Sequence, residues 1–184
     1  MITIDAIKFK EVEQALGEYK NKAPIALSRA INRAASNAKT NASKKAREQY
    51  NIKAKDINAT IKITKANKGS LGAIVKSTGE RIPLIKFKVS PSNPKPKNPP
   101  KVLRVEVKKG GLKEIVGAFV SNVNGNKVFI RTSSARLPIQ QLFGPAVPQM
   151  LGSNSIKEFV ENEATKTFDQ RLDHEIQRML GGNK

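Results

Sequence analysis

The sequence predicts an α+β fold: an antiparallel β-sheet flanked by a long N-terminal basic helix and a C-terminal amphipathic helix, with a proline-rich loop or arm. Three observations carry that expectation. Alanine recurs at Ala30, Ala34, Ala38, Ala42 and Ala46, a four-residue step that stripes one face of a helix. The apolar period then changes to two, and Asn124-Gly125 sits between two strand-like runs. Finally, Ile156, Phe159, Val160, Ala164, Phe168, Leu172, Ile176 and Met179/Leu180 return to helical spacing. Helices, then strands, then a helix make an α+β layer rather than a βαβ series.

Taken in order, Ile7 to Tyr19 has the spacing of a short helix, which Asn21-Lys22-Ala23-Pro24 breaks. Pro24 suits the first turn of the next helix, where its missing N–H would have had no partner. That helix is expected over about Pro24 to Tyr50, with Leu27 and Ile31 beside alanines that admit close approach of another element. A helical turn at Ala54 to Ala59 follows. Thr60 to Thr64 and Ile85 to Val89 alternate cleanly, Ala73 to Ser77 more weakly, and all three are expected strands. Residues 90–100, SPSNPKPKNPP, hold five prolines and lack donors for a ladder. They read as an exposed spacer with polyproline character, or as a ligand for a proline-binding domain. Val102 to Val107 resumes as strand, with Leu103, Val105 and Val107 on one face. Asn-Gly is the preferred pair for a type I′ turn, so residues 118–131 should form a hairpin. Ser155-Ile-Lys-Glu158 reads as a capping box and Gly181-Gly182 as the stop of the last helix. The chain of 184 residues fits one domain, divided as 1–59 helical, 60–132 sheet, 133–154 proline-containing connector and 155–182 helix.

Charge is the strongest bulk signal: 34 Lys and Arg against 15 Asp and Glu, net +19. Lys20 to Arg104 contains 21 basic residues and 3 acids, an excess of +18, whereas Ser155 to Lys184 has 5 bases and 6 acids. Such a block faces polyanion, or a solvated or acidic surface within an assembly. Arg29, Arg33, Lys44, Lys45 and Arg47 on the long helix are its candidate contacts. The final helix, with mixed charge opposite its apolar face, is expected to cover the core or dock a partner rather than probe nucleic acid.

The inventory for catalysis is thin. With no Cys, disulfides and thiolate metal sites are excluded, and a reducing cytoplasm is the natural place of synthesis. His174 is the sole histidine and reads as a solvent-facing helical residue. Glu158, Glu161 and Glu163 crowd the start of the last helix, where the macrodipole favours acids without any catalytic duty. No paired-acid spacing for Mg²⁺ and no phosphate loop stands out, so no enzyme, metal or cofactor is expected. Apolar runs fall short of the roughly 20 residues of a membrane span, and the N-terminus lacks a signal-peptide layout. Few aromatics are available for base stacking, and the bases are spread over several elements, which disfavours a sequence reader; non-specific phosphate contact stays open.

Residues 117–151, GAFVSNVNGNKVFIRTSSARLPIQQLFGPAVPQML, resemble the signature region of the phage minor tail protein Z family. The matching parts are Gly117 to Val120, Gly125, Val128 to Arg131, Arg136 to Ile139, Leu142, Gly144-Pro145 and Val147-Pro148. Ala30 to Ala35 also resembles the family's opening helix. The resemblance implies a structural virion protein, made in the host bacterial cytoplasm, that acts at the head-proximal end of a tail during tail completion and head–tail joining. It implies other tail and neck proteins as partners (tail terminator or tube, head–tail connector), a homo-oligomer in the form of a ring, and no enzymatic residues. Arg136, Pro138, Ile139, Leu142, Gly144, Pro145, Val147 and Pro148 are then the candidate docking residues. Their prolines reduce the freedom of the unfolded connector, so that it holds a fixed path; an intramolecular crossover is the alternative. DNA carries one charge per ~1.7 Å, so a ring ~35 Å deep would surround about 20 phosphates. Several +18 blocks would far exceed that number. Most of the block is therefore expected to face acidic neighbours or solvent, with at most a minority on genomic DNA.

Overall fold

The computed structural model describes residues 1–5, 8–98 and 100–181, with Asp5 defined by its backbone alone. In chain order, β1 (Ile2–Asp5), α1 (Phe9–Leu16) and a 3-10 stretch (Gly17–Lys22) lead into α2 (Ala23–Gln49). After α3 (Ala54–Asn58) come β2 (Ile61–Thr64), β3 (Gly72–Ser77), β4 (Arg81–Pro83), a 3-10 turn (Leu84–Lys86), β5 (Lys88–Ser90) and β6 (Val102–Glu106). β7 (Leu112–Val116), β8 (Ala118–Asn122), β9 (Asn126–Arg131), β10 (Ile139–Gln141), β11 (Phe143–Ala146), α4 (Val147–Leu151) and α5 (Asn154–Met179) complete the chain. The α+β class and both long helices are as the sequence predicts.

Two compact units share this chain. The first comprises residues 1–43, 61–78 and 151–184, the second 44–60 and 79–150. In the first, β1, β3 and β2 form an antiparallel sheet with β3 central. Ala23, Ala26, Leu27, Ala30, Ile31, Ala34, Ala35 and Ala38 of α2 are fully buried, so the alanine row is core and its arginines lie outside. Asn32 fastens the turn after β2: its Nδ2 donates to the Ala66 carbonyl at 2.9 Å and its Oδ1 accepts from the Ala66 N–H at 2.8 Å. On α5 the buried set is Ile156, Val160, Ala164, Phe168 and Leu172, joined by Glu175. Leu180 is half exposed instead of completing the apolar face. Gly181 takes φ 119, the left-handed stop expected of it; Gly182 lies outside the described residues.

The capping box is displaced. Ser153 is the N-cap, in extended geometry, and its carbonyl accepts the N–H of Ile156 at 3.0 Å and of Lys157 at 2.9 Å. Ser155 therefore sits inside the first turn, because the serine two residues earlier already carries the extended backbone that a cap requires.

Antiparallel ladders build the second unit: β10-β9-β8, β5-β6-β7 and the pair β11-β4. The hairpin is present, with positive φ at Asn124 (52°) and Gly125 (95°). Its ladder ends at Asn122 opposite Asn126, so Val123 joins the turn instead of extending the strand. Leu103 and Val105 of β6 are buried, as their alternation implies. Ile85 to Val89 departs from the expected strand. Leu84 to Lys86 is a 3-10 turn closed by the Phe87 N–H to the Leu84 carbonyl at 3.1 Å. Leu84 and Phe87, three residues apart, are both buried by that turn, and only Val89 keeps the period of two.

The proline segment after β5 is an irregular loop in which Ser90-Pro91 is cis, and Pro99 lies outside the described residues. Asn126 donates to the Ser92 carbonyl at 3.3 Å and to Asn93 Oδ1 at 3.2 Å, which holds the loop's first half against the hairpin.

Cross-strand charge pairs stitch the sheet formed by β5, β6 and β7: Lys88 Nζ meets Glu106 Oε2 at 2.6 Å and Arg104 Nε meets Glu114 Oε1 at 3.0 Å. The Lys88 ammonium, and then the Gly110 N–H at 2.8 Å, hold the Glu106 carboxyl below its ordinary 4.5. A lowered native pKa stabilises the fold above the unfolded value and loses that contribution as pH falls through the native one. Glu106→Gln should accordingly melt below the wild-type chain at neutral pH. The gap should close as pH drops from 4.5 downward, read by circular dichroism melts; a gap that stays constant to pH 2 would refute the assignment.

Candidate docking face and arginine groove

Most of the segment expected to be a connector, 133–154, is instead woven into the second unit as β10, β11 and nearly all of α4, and residues 151–154 belong to the first. β10 extends the hairpin, with Ile139 opposite Arg131. Leu142 then bridges two elements by its backbone: its N–H donates to the Val128 carbonyl at 2.9 Å, and its carbonyl accepts the Leu84 N–H at 3.0 Å. β11 pairs with β4 through Phe143 opposite Pro83 and Ala146 opposite Arg81, with an irregularity between them. Gly144 and Pro145 occupy that irregularity, where a residue without an N–H costs no ladder bond. A Cβ on Gly144 would stand 2.5 Å from Phe87 Cε2, so only glycine lets the strand pass the ring. Gln149 Oε1 accepts the Ala146 N–H at 3.0 Å at the start of α4, whose Val147 and Met150 are buried.

The eight expected docking residues therefore separate. Val147 is fully buried and Gly144 is filled by Phe87, so both act within the chain. Ile139, Leu142, Pro145 and Pro148 are half-buried, while Arg136 and Pro138 are exposed. The Arg136 carbonyl accepts from Arg131 Nη1, and the Pro138 carbonyl accepts from the Thr132 N–H at 3.4 Å and hydroxyl at 3.3 Å; Leu137-Pro138 is cis. In the same segment, two apolar side chains outside the expected docking set are open to solvent: Leu137 at 67% and Phe143 at 48% exposure. A hollow of ≈ 590 Å³ lies between the proline loop and the hairpin, lined by Pro91, Pro94, Phe119, Arg131, Arg136 and Leu137 among others. The Arg131 guanidinium stands 5.2 Å from the Phe119 ring centre in a cation–π contact.

The five candidate polyanion contacts also divide. Lys44, Lys45 and Arg47 belong to the second unit, where Lys45 Nζ pairs with Glu48 at 3.0 Å. Arg29 and Arg33 belong to the first and line one groove of ≈ 620 Å³. Three further cations join them there: Lys65, which the Asn32–Ala66 clamp places next to the groove, and Arg171 and Arg178 of α5. Glu175 is fully buried beneath these side chains. Its Oε2 meets Arg178 Nη2 at 2.7 Å and Arg29 Nη1 at 3.3 Å. Its Oε1 has Arg171 Nη2 at 2.6 Å yet accepts no aligned hydrogen bond. Sequence reading missed this constellation because Arg171, Glu175 and Arg178 sit in a segment whose charges nearly cancel. Their spacing (i, i+4, i+7) was the available clue, as it stacks all three on one helical face.

Among the described residues, no group of three or more His, Asp or Glu side chains is placed to hold a metal ion, and no helix is long and apolar enough to cross a membrane. His174 is exposed, as a solvent-facing residue would be.

These features define a class: an α+β protein of antiparallel ladders, with an exposed apolar and arginine-bearing face on one unit and a cationic groove on the other. The family model for prophage minor tail protein Z matches residues 9–181, and the chain belongs to that family. It is thus a bacteriophage minor tail protein, with a structural role in the virion alongside other tail proteins. No curated protein and no solved structure matched the chain.

Proposed function

We propose that this minor tail protein completes the head-proximal end of the tail and helps join tail to head by docking on neighbouring subunits. The observation that carries the reading is the exposure of Leu137, next to Arg136 and Pro138 in the chain, and of Phe143 six residues on, within the segment that resembles the family's signature. Apolar side chains rimmed by an arginine on a rigid ladder have the make-up of an interface anchor. The woven β10–β11 segment presents them without a large entropy cost on binding. Copies of the chain form a ring, and the neighbours are the tail terminator or tube on one side and the head–tail connector on the other. A second reading, a non-specific duplex-DNA-binding protein, is favoured by the net charge of +19.

The test is complementation of a phage lacking this gene with Leu137→Asp/Phe143→Asp. Both side chains face solvent, so the variant should melt like the wild-type chain while electron micrographs show free heads and free tails in place of joined particles. Normal particles with normal infectivity would sink the docking reading.

A further inference from the structure

The groove of the first unit takes no part in the docking face just described. Five cationic side chains line it, and Glu175, the carboxylate that Arg29, Arg171 and Arg178 share, is buried beneath them. Arg29, Arg171 and Arg178 each turn one nitrogen toward Glu175, which leaves most of the five N–H donors of each guanidinium for the cavity. Arg33 and Lys65 have no acidic partner among the described residues. The half-buried acids Glu161 and Asp169 of α5 line a different hollow, beside Lys8.

We infer that this groove seats the phosphodiester backbone of duplex DNA on Arg29, Arg33, Lys65, Arg171 and Arg178, without regard to base sequence. Glu175 fixes the planar guanidiniums of Arg29, Arg171 and Arg178 in advance, so less side-chain freedom is lost when oxyanions arrive. Of the neutral side chains around them, Asn37 and Gln170 in the adjoining hollow are types that donate to phosphate and sugar oxygens, whereas Ser36 and Thr167 give their hydroxyl protons to the Asn32 and Glu163 carbonyls and Asn32 is held on Ala66. The groove has no aromatic side chain and the adjoining hollow has His174 alone, which leaves little platform for base stacking. Neither offers an apolar anchor of the kind a protein partner uses. Seven residues separate Arg171 from Arg178, about 10 Å along the helix, enough to follow roughly three phosphates of one strand.

The experiment is fluorescence anisotropy of the full chain with two unrelated duplexes of about 20 base pairs, from about 50 to 200 mM salt, with a Glu-rich peptide as competitor. Both duplexes should bind alike, with a log–log salt slope of about −4 to −5. Arg33→Ala should weaken binding several-fold and make the slope shallower by about one. Lys113→Ala, which removes the same charge from an exposed strand position of the second unit, should leave both unchanged. Lys65→Ala is the second groove variant and should act like Arg33→Ala. Leu137→Asp/Phe143→Asp should bind duplex as the wild-type chain does, so that failure of the docking reading and failure of this one remain separate. Equal losses at Lys113 and Arg33, displacement of duplex by the peptide at lower concentration than by unlabelled duplex, a preference between the duplexes, or no binding at the lowest salt would each overturn the assignment.

Discussion

Glu175→Ala is expected to lower the melting temperature of this protein by about 6–12 °C, the largest loss from any single side-chain truncation considered. The carboxylate is fully buried and answers three guanidiniums, at 2.6, 2.7 and 3.3 Å. Removing one partner of a buried pair costs about 3–5 kcal/mol, because the other charge is left uncompensated. Here the arginines are 37–49% exposed and can turn to water, so the lower end, about 3 kcal/mol, applies. At about 2–4 °C per kcal/mol for a chain of this size, that gives the stated shift. Two further outcomes separate this cause from a simple cavity. Glu175→Gln keeps the volume and one acceptor oxygen and should lose less. Added salt should recover part of the loss in Glu175→Ala by screening the guanidiniums from one another. Equal melting of the alanine variant and the wild-type chain would show that the cluster contributes nothing to the fold.

Gly144→Ala is expected to cost about 1–3 kcal/mol, or about 3–10 °C, by overpacking. The added methyl would lie 2.5 Å from Phe87 Cε2 and 3.0 Å from Cζ, in a ring that is itself buried. Neither β11 nor the Leu84–Lys86 turn gives way cheaply, since the Leu142 carbonyl and the Leu84 N–H tie them together at 3.0 Å. The clash identifies its own remedy. Phe87→Leu withdraws the ring atoms nearest the new methyl, so the double variant should be more stable than the sum of the two single losses implies. Strict additivity of the two changes, within about 0.5 kcal/mol, would mean that the ring and the glycine are not coupled.

Much of the architecture is legible in the chain because it rests on local periodicity. The row from Ala30 to Ala46 marks the buried face of α2, the alternation of Leu103 and Val105 marks β6, and Asn124-Gly125 marks the hairpin turn by its demand for positive φ. β7 escaped notice because it is exposed along nearly its whole length, so no alternation is imposed on Leu112 to Val116. β10 and β11 escaped for a different reason. Their prolines read locally as a free connector, and only the partners Arg131 and Pro83, distant in sequence, make them strands. The strand pattern at Ile85 to Val89 misled in the opposite sense, since burial of Leu84 together with Phe87 selects a 3-10 turn.

The candidate sites show the same division more sharply. Local spacing and resemblance marked Arg29, Arg33 and the 136–148 segment as surfaces of interest. Tertiary structure then buried Val147, packed Gly144 against Phe87, exposed Leu137 and Phe143, and brought Lys65, Arg171 and Arg178 beside Arg29 and Arg33 over a buried carboxylate. Sequence alone determined the class of fold, the place of the two long helices and the family, because short-range patterns of burial and turn chemistry carry that information. Which charges share a groove, and which apolar groups reach solvent, was decided only in three dimensions. Arg171, Glu175 and Arg178, whose charges offset along the chain, come onto one face once the helix is wound, and proximity across some 146 positions, as between Arg29 and Glu175, has no local trace.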